Sequence, residues 1–189
     1  MRLLLIGPPG SGKGTQAARI AEKFGIPTIS TGEIFRKNVA AGTELGRLAD
    51  GLMKAGKYVP DEVTNALVAN RLAEPDAAEG FLLDGYPRTL AQVDALDEML
   101  TKAGTQLDVV VELTVNDDEV VTRLLKRATL EGRADDNEET IRARQRIYAE
   151  QTEPLVSVYG GRGLLVRVDG MGELDEITER LVSALSSIG

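Results

Sequence analysis

The sequence contains no cysteine, no histidine and no tryptophan. Without cysteine there can be no disulfide and no thiolate metal site, which excludes an extracellular disulfide scaffold. Without histidine the usual general base is missing, and with it any Ser-His-Asp or Cys-His machinery. Any chemistry must therefore rest on positioning and electrostatics. No apolar run approaches the length of a membrane span. The opening stretch Met1–Ile6 is too short for a secretory signal and is ended by Gly7-Pro8-Pro9-Gly10, so a cytoplasmic location is the expectation by elimination. A surplus of positive charge is also lacking. The formal net charge is -8, which argues against a nucleic-acid partner. It does not argue against phosphate ligands, because exposed charges are screened beyond about 8–10 Å and a local arginine cluster can outweigh the global sign.

What is present is an ordinary globular composition, 42% apolar over 189 residues, enough for one domain with a sizeable core. Short apolar runs at Leu3–Ile6, Pro27–Ile29, Gly80–Leu83, Val109–Leu113 and Leu164–Val168 read as strands buried on both faces. Between them, helical periodicity predicts helices at Lys13–Phe24, Gly32–Ala40, Glu44–Ala55, Asp61–Leu72, Leu90–Ala103, Asp117–Lys126, Glu138–Tyr159 and Leu174–Leu185. Ser30 with Glu33, and Asn116 with Glu119, have the spacing of an N-cap and its acidic partner. The alternation predicts an α/β fold with a five-stranded parallel sheet. Two segments break it, 30–59 and 126–136, and both read as inserts at the catalytic edge; the core is then 1–29, 60–125 and 137–189 of a single domain.

Gly7-Pro8-Pro9-Gly10-Ser11-Gly12-Lys13-Gly14-Thr15 follows an apolar strand and opens a helix, the setting of a P-loop. Its glycines let backbone N–H groups converge on phosphate at a helix N-terminus, and Lys13 reaches the terminal phosphates. Gly14 stands where a hydroxyl residue usually ligates Mg²⁺, so magnesium is expected to be held mainly by phosphates and water. Asp84 ends the strand Gly80–Leu83 at its carboxyl edge, where ligands of open α/β sheets collect, and suits orienting water on that magnesium. Arg123 and Arg127 share one face of a helix, and Arg133 lies in the second insert; Arg142 and Arg146 form another i,i+4 pair from which Arg144 points away. Guanidinium groups grip phosphates bidentately, but arginines on a charged surface are ordinarily solvated or paired locally, the reading given to Arg142 and Arg146.

Gly-Pro-Pro-Gly-x-Gly-Lys-Gly-Thr-Gln from Gly7, Ser30-Thr31-Gly32-Glu33-Ile34-Phe35-Arg36, and Asp84-Gly85-Tyr86-Pro87-Arg88 with Gln92 together resemble the adenylate kinase family, in matching order from Met1 to about Gly172. The resemblance implies a P-loop three-layer sandwich carrying a helical monophosphate-binding insert and a short lid. It implies a monomer that converts Mg·ATP and AMP into two ADP. It assigns Gly10, Ser11, Gly12, Lys13, Gly14, Thr15, Arg127 and Gly172 to ATP. It assigns Thr31, Arg36, Lys57, Tyr58, Val59, Gly85, Tyr86, Pro87, Arg88, Gln92, Arg133 and Arg144 to AMP. Lys13, Arg88, Arg123, Arg133 and Arg144 take the catalytic positions. Residue by residue the Val168–Gly172 segment reads equally well as a strand-to-helix turn. Longer lids of the family are sometimes zinc-bound through cysteines, and here no zinc is expected. A UMP/CMP kinase shares the architecture, and Thr31 and Gln92 favour AMP. A non-catalytic nucleotide-binding switch would need the P-loop without the acceptor arginines.

Overall fold

The computed structural model describes residues 1–116, 119–124 and 137–188. Five strands form one parallel sheet in the order β2-β3-β1-β4-β5: β1 Arg2–Ile6, β2 Thr28–Ser30, β3 Phe81–Asp84, β4 Val109–Thr114 and β5 Leu165–Asp169. Each lies within one residue of its predicted start and end. Continuous apolar sequence makes these strands because side chains alternate faces and both faces are covered. Leu4, Ile6, Phe81, Leu83 and Val110 point into one core; Leu3, Leu5, Leu82, Val109, Val111 and Leu113 point into the other.

Helices α1 (Lys13–Phe24) and α9 (Leu174–Ser186) cover the second core with Ala17, Ile20, Ile177, Leu181 and Leu185. Helices α4 (Asp61–Leu72), α5 (Leu90–Lys102) and α8 (Pro154–Gly161) cover the first with Val68, Val93, Leu96, Leu100, Leu155 and Tyr159. The result is the α/β parallel-sheet fold that the alternation predicts, in the three layers that the family resemblance implies. Helices α2 (Thr31–Ala40) and α3 (Glu44–Lys54) pack on each other beside α4. Phe35, Ala49 and Val59 form a small apolar cluster of their own there.

The helix starts follow local chemistry. Ser30 Oγ accepts from Glu33 N, Thr43 Oγ1 from Gly46 N, Thr89 Oγ1 from Gln92 N and Asn137 Oδ1 from Thr140 N. Asn116 Oδ1 accepts from Glu119 N at 2.8 Å, opening the helical residues 119–124 (α6). Each such cap satisfies an N–H that the helix itself cannot. The long helix predicted over Glu138–Tyr159 is instead divided. Helix α7 (Glu138–Ile147) runs into a π-type turn at Tyr148–Thr152, and α8 starts afresh with Pro154 at its first position. The division has a plain cause: Pro154 has no N–H to give to a preceding turn and is at home only in a first turn.

Asp117 and Asp118 of the predicted helix over Asp117–Lys126, and the whole segment 126–136, lie outside the described residues. No described helix is long and apolar enough to cross a membrane.

Candidate active site

The connection leaving β1 runs to one side of the sheet while that leaving β4 runs to the other. The crevice between their carboxyl ends is where ligands of such sheets settle. It holds a cleft of about 860 Å³. The loop after β1 forms its floor, with Gly10, Ser11, Gly12, Lys13, Gly14 and Thr15 all on the surface. Gly10 and Gly12 sit at φ 89° and 91°. A side chain at Gly10 would also strike Leu124 Cγ at 2.7 Å, because α6 packs directly on the loop. Lys13 opens α1 and folds its ammonium back to donate to Gly7 O at 2.6 Å and Pro8 O at 2.8 Å. Arg123 reaches the same loop from α6: its Nε donates to Glu119 Oε1 at 2.7 Å and its Nη1 to Ser11 O at 3.3 Å. Gly172 lies on the cleft wall at φ 108°, where a side chain would strike Glu176 Oε2.

Beside the cleft lies a narrower recess of about 60 Å³, bounded by α2, the segment Gly56–Val59, the start of α5 and α7. Thr31, Arg36, Lys57, Tyr58, Val59, Gly85, Arg88, Gln92 and Arg144 all line it, and Tyr86 and Pro87 line the adjoining cleft. Gly32, Phe35, Met53, Gly56 and Thr64 complete the lining, none of them assigned to a site by the sequence. Among the described residues the recess carries four cations (Arg36, Lys57, Arg88 and Arg144) and no carboxylate. In a chain of net charge -8 these four cations stand together on one wall.

The recess is held by cross-ties between distant segments. Arg88 Nε donates to Gly85 O at 2.7 Å, and its guanidinium lies 5.0 Å from the centre of the Tyr58 ring. Thr31 Oγ1 donates to the same Gly85 carbonyl at 2.8 Å. Gly85 itself, at φ 76°, permits this convergence, since a Cβ there would lie 2.8 Å from Arg88 Nη2. Thr152, from the π-type turn, donates to Arg88 O at 2.8 Å and shares a hydrogen bond of 2.8 Å with the Tyr58 hydroxyl. The Tyr58 side chain thus joins the Gly56–Val59 segment to Arg88 and Thr152. Thr140 Oγ1 donates to Lys54 O at 2.8 Å, so α7 also clasps the 30–59 segment. Burial pushes the Tyr86 and Tyr148 phenols well above their ordinary value, with Asp61 adding to the first and Glu112 to the second. Both are therefore neutral at working pH, and the Tyr86 hydroxyl donates to Asn65 Oδ1 at 2.8 Å.

Asp84 ends β3 and faces the loop, its Oδ2 accepting from Ser30 Oγ at 3.3 Å and lying 3.8 Å from where a Cβ on Gly14 would stand. No group of three or more acids able to hold a metal exists among the described residues. One carboxylate opposite a phosphate-binding loop suits an ion whose other ligands are phosphate oxygens and water. Arg142 pairs with Glu138 at 2.8 Å on the surface, as its spacing suggests. Arg127 and Arg133 lie outside the described residues.

A P-loop cleft opening onto a cationic recess is the arrangement the sequence resemblance implies. Residues 5–164 match the family described as adenylate kinase. This chain belongs to the adenylate kinase family. It is 61% identical over 188 residues to the adenylate kinase of Nocardioides sp. strain JS614, covering 100% of this chain and 98% of the relative. It is 58% identical over 188 residues to that of Clavibacter michiganensis subsp. michiganensis, covering 100% and 94%. It is 58% identical over 187 residues to that of Thermobifida fusca, covering 99% of each.

Proposed function

We propose that this chain catalyses the reversible transfer of the terminal phosphate of Mg·ATP to AMP, giving two ADP, and so balances the adenine nucleotides. The observation that carries the reading is a shared wall: Arg36, Arg88 and Arg144 line both the recess and the loop cleft. Cations on that boundary face a donor phosphate on one side and an acceptor phosphate on the other. Transfer in line between two phosphates spreads negative charge there, and preorganised guanidinium groups stabilise it without reorganisation.

In this reading the loop amides of Gly10–Thr15 and the Lys13 ammonium hold the ATP phosphates, and Gly172 lies against its base. Arg88 and Arg36 hold the AMP phosphate, Arg144 approaches it from α7, and Arg123 stands over the loop; Arg133 is assigned to the AMP side and Arg127 to the ATP side. Thr31, Gln92 and the Lys57–Val59 segment bound the AMP nucleoside, with Gly85, Tyr86 and Pro87 shaping its entrance. Magnesium arrives with ATP and neutralises phosphate charge, and Asp84 would hold it through water. The acceptor oxygen is anionic at neutral pH, so no base is needed, consistent with a chain lacking histidine. Segment 126–136 serves as a short lid and 30–59 as a monophosphate-binding insert, both acting to exclude water that would otherwise hydrolyse ATP. The protein works as a cytoplasmic monomer with nucleotides as partners and neither nucleic acid nor membrane.

The direct test is an assay of purified protein with Mg·ATP and AMP, UMP, CMP or dTMP supplied separately. ADP formation is expected to be fastest with AMP. A rate with AMP no greater than with water alone overturns the reading, and preference for a pyrimidine monophosphate replaces it with the UMP/CMP kinase reading.

A further inference from the structure

Gln92 is 2% exposed and lines the recess, and both ends of its amide are already anchored. Its Oε1 accepts from the backbone N–H of Arg88 at 2.7 Å. Its Nε2 donates to Asp61 Oδ1 at 2.7 Å. The anchors are chemically one-way: a backbone N–H can only donate, and an ionised carboxylate can only accept. Together they fix which end of the amide is oxygen and which is nitrogen.

Asp61 is itself held in place. It occupies the first position of α4, where the helix dipole favours a carboxylate, and its second oxygen accepts from Thr89 Oγ1 at 3.0 Å. Thr89 in turn caps α5 through Gln92 N at 3.2 Å. Asp61, Thr89 and Gln92 therefore close a ring that ties the two helix starts together.

We infer that Asp61 is a specificity-determining positioning residue: by fixing the polarity of the Gln92 amide it selects a 6-amino purine over a 6-oxo purine in the recess. The inference rests on the reading of the recess as the monophosphate site. After its two anchors, the amide has one N–H donor and one oxygen lone pair left. Adenine offers N1 as an acceptor beside its 6-amino donor, whereas hypoxanthine offers N1–H as a donor beside its 6-oxo acceptor. The two bases demand opposite amide polarities. A flipped amide that suits the 6-oxo base turns its oxygen toward the Asp61 carboxylate and its NH₂ toward Arg88 N–H, so each anchor opposes it. Asparagine at position 61 can donate or accept, and removes one of the two oppositions.

The experiment measures kcat/KM for AMP and for IMP with saturating Mg·ATP in the wild type, Asp61→Asn, Asp61→Ser and Asp61→Glu proteins. The AMP-to-IMP ratio is expected to fall about tenfold in Asp61→Asn and Asp61→Ser, the size of one hydrogen bond to a charged group. It should be largely kept in Asp61→Glu, with KM for ATP steady throughout. If AMP and IMP rates fall together and the ratio holds, Asp61 merely supports the fold and the inference is overturned. Should Asp61→Asn fail to fold, Asp61→Ser carries the same comparison. A wild type that does not use AMP above the water rate defeats the underlying reading of the recess instead. A wild type that prefers AMP, with a ratio unchanged in the variants, defeats only the role of Asp61.

Discussion

The two halves of the cleft are built by different means. The donor half is one contiguous loop whose working groups are mostly backbone amides, released by glycine at φ 89° and 91° and backed by Leu124 of α6. The acceptor half has almost no local structure of its own. It is assembled from α2, the Gly56–Val59 segment, the β3-to-α5 connection, α7 and the π-type turn, joined by side-chain ties such as Tyr58–Thr152 and Thr152–Arg88. A loop made of backbone tolerates changes around it as long as its dihedral angles are kept. A site made of cross-ties depends on residues far outside it.

That contrast can be broken or sharpened by substitution. Lys13→Met should lower kcat by about 10³-fold, the upper range for removing one preorganised charge donor, with the thermal unfolding curve unchanged; substantial remaining turnover would contradict the role given to Lys13. Arg88→Lys keeps the charge but loses the planar group over Tyr58 and the Nε bond to Gly85 O. It should cut kcat/KM for AMP by about 10²-fold while KM for ATP moves little. Equal losses for both nucleotides would erase the division into halves.

Thr152→Val removes a hydroxyl that serves two partners and leaves Arg88 O and the Tyr58 hydroxyl unsatisfied. A cost of about 1–3 kcal/mol is expected, appearing as a higher KM for AMP and partly restored by Thr152→Ser. An unchanged KM for AMP would show that the recess stands without this tie. The smallest effect belongs to neither half. The exposed Asp76 carboxyl is held below its ordinary 3.8 by the hydrogen bond from the Arg71 guanidinium. Its folded-state value is depressed, so its contribution is present above 3.8 and is lost as pH falls through the lowered value. Asp76→Asn should flatten the acid limb of a stability-versus-pH curve slightly and leave turnover at neutral pH untouched.

The same contrast explains what the sequence could tell. The P-loop was legible because strand, glycines and lysine are neighbours, and the parallel strands because burial on both faces leaves an unbroken apolar run. The caps at Ser30 and Asn116 were readable for the same local reason. Pro154 was a visible break that helical periodicity alone overrode. Thr152, by contrast, bonds partners 94 and 64 residues away, and Asp61 meets Gln92 across 31 residues. No periodicity or spacing encodes those meetings. They follow from the strand order, which places the start of α5 beside the end of the 30–59 segment and which the alternation of elements leaves undetermined. Family resemblance assigned the recess residues to AMP, while it gave no hint of the residues that tie the recess together.

The position of β1 has a consequence for how the chain is made. Of these five strands the central one, β1, is made before the others, and its lateral partners are β3, at Phe81–Asp84, and β4, at Val109–Thr114. At roughly 5–20 residues per second, β1 waits about 4–16 seconds before β3 has been synthesised. Throughout that interval Leu3-Leu4-Leu5-Ile6 is an unpaired apolar edge of the kind that recruits neighbouring chains. Arg2 stands before it and Pro8-Pro9 close behind, a charge and two imino acids that cannot extend a β-ladder. The residues that open the phosphate loop are thus also ones that cannot lengthen that apolar edge.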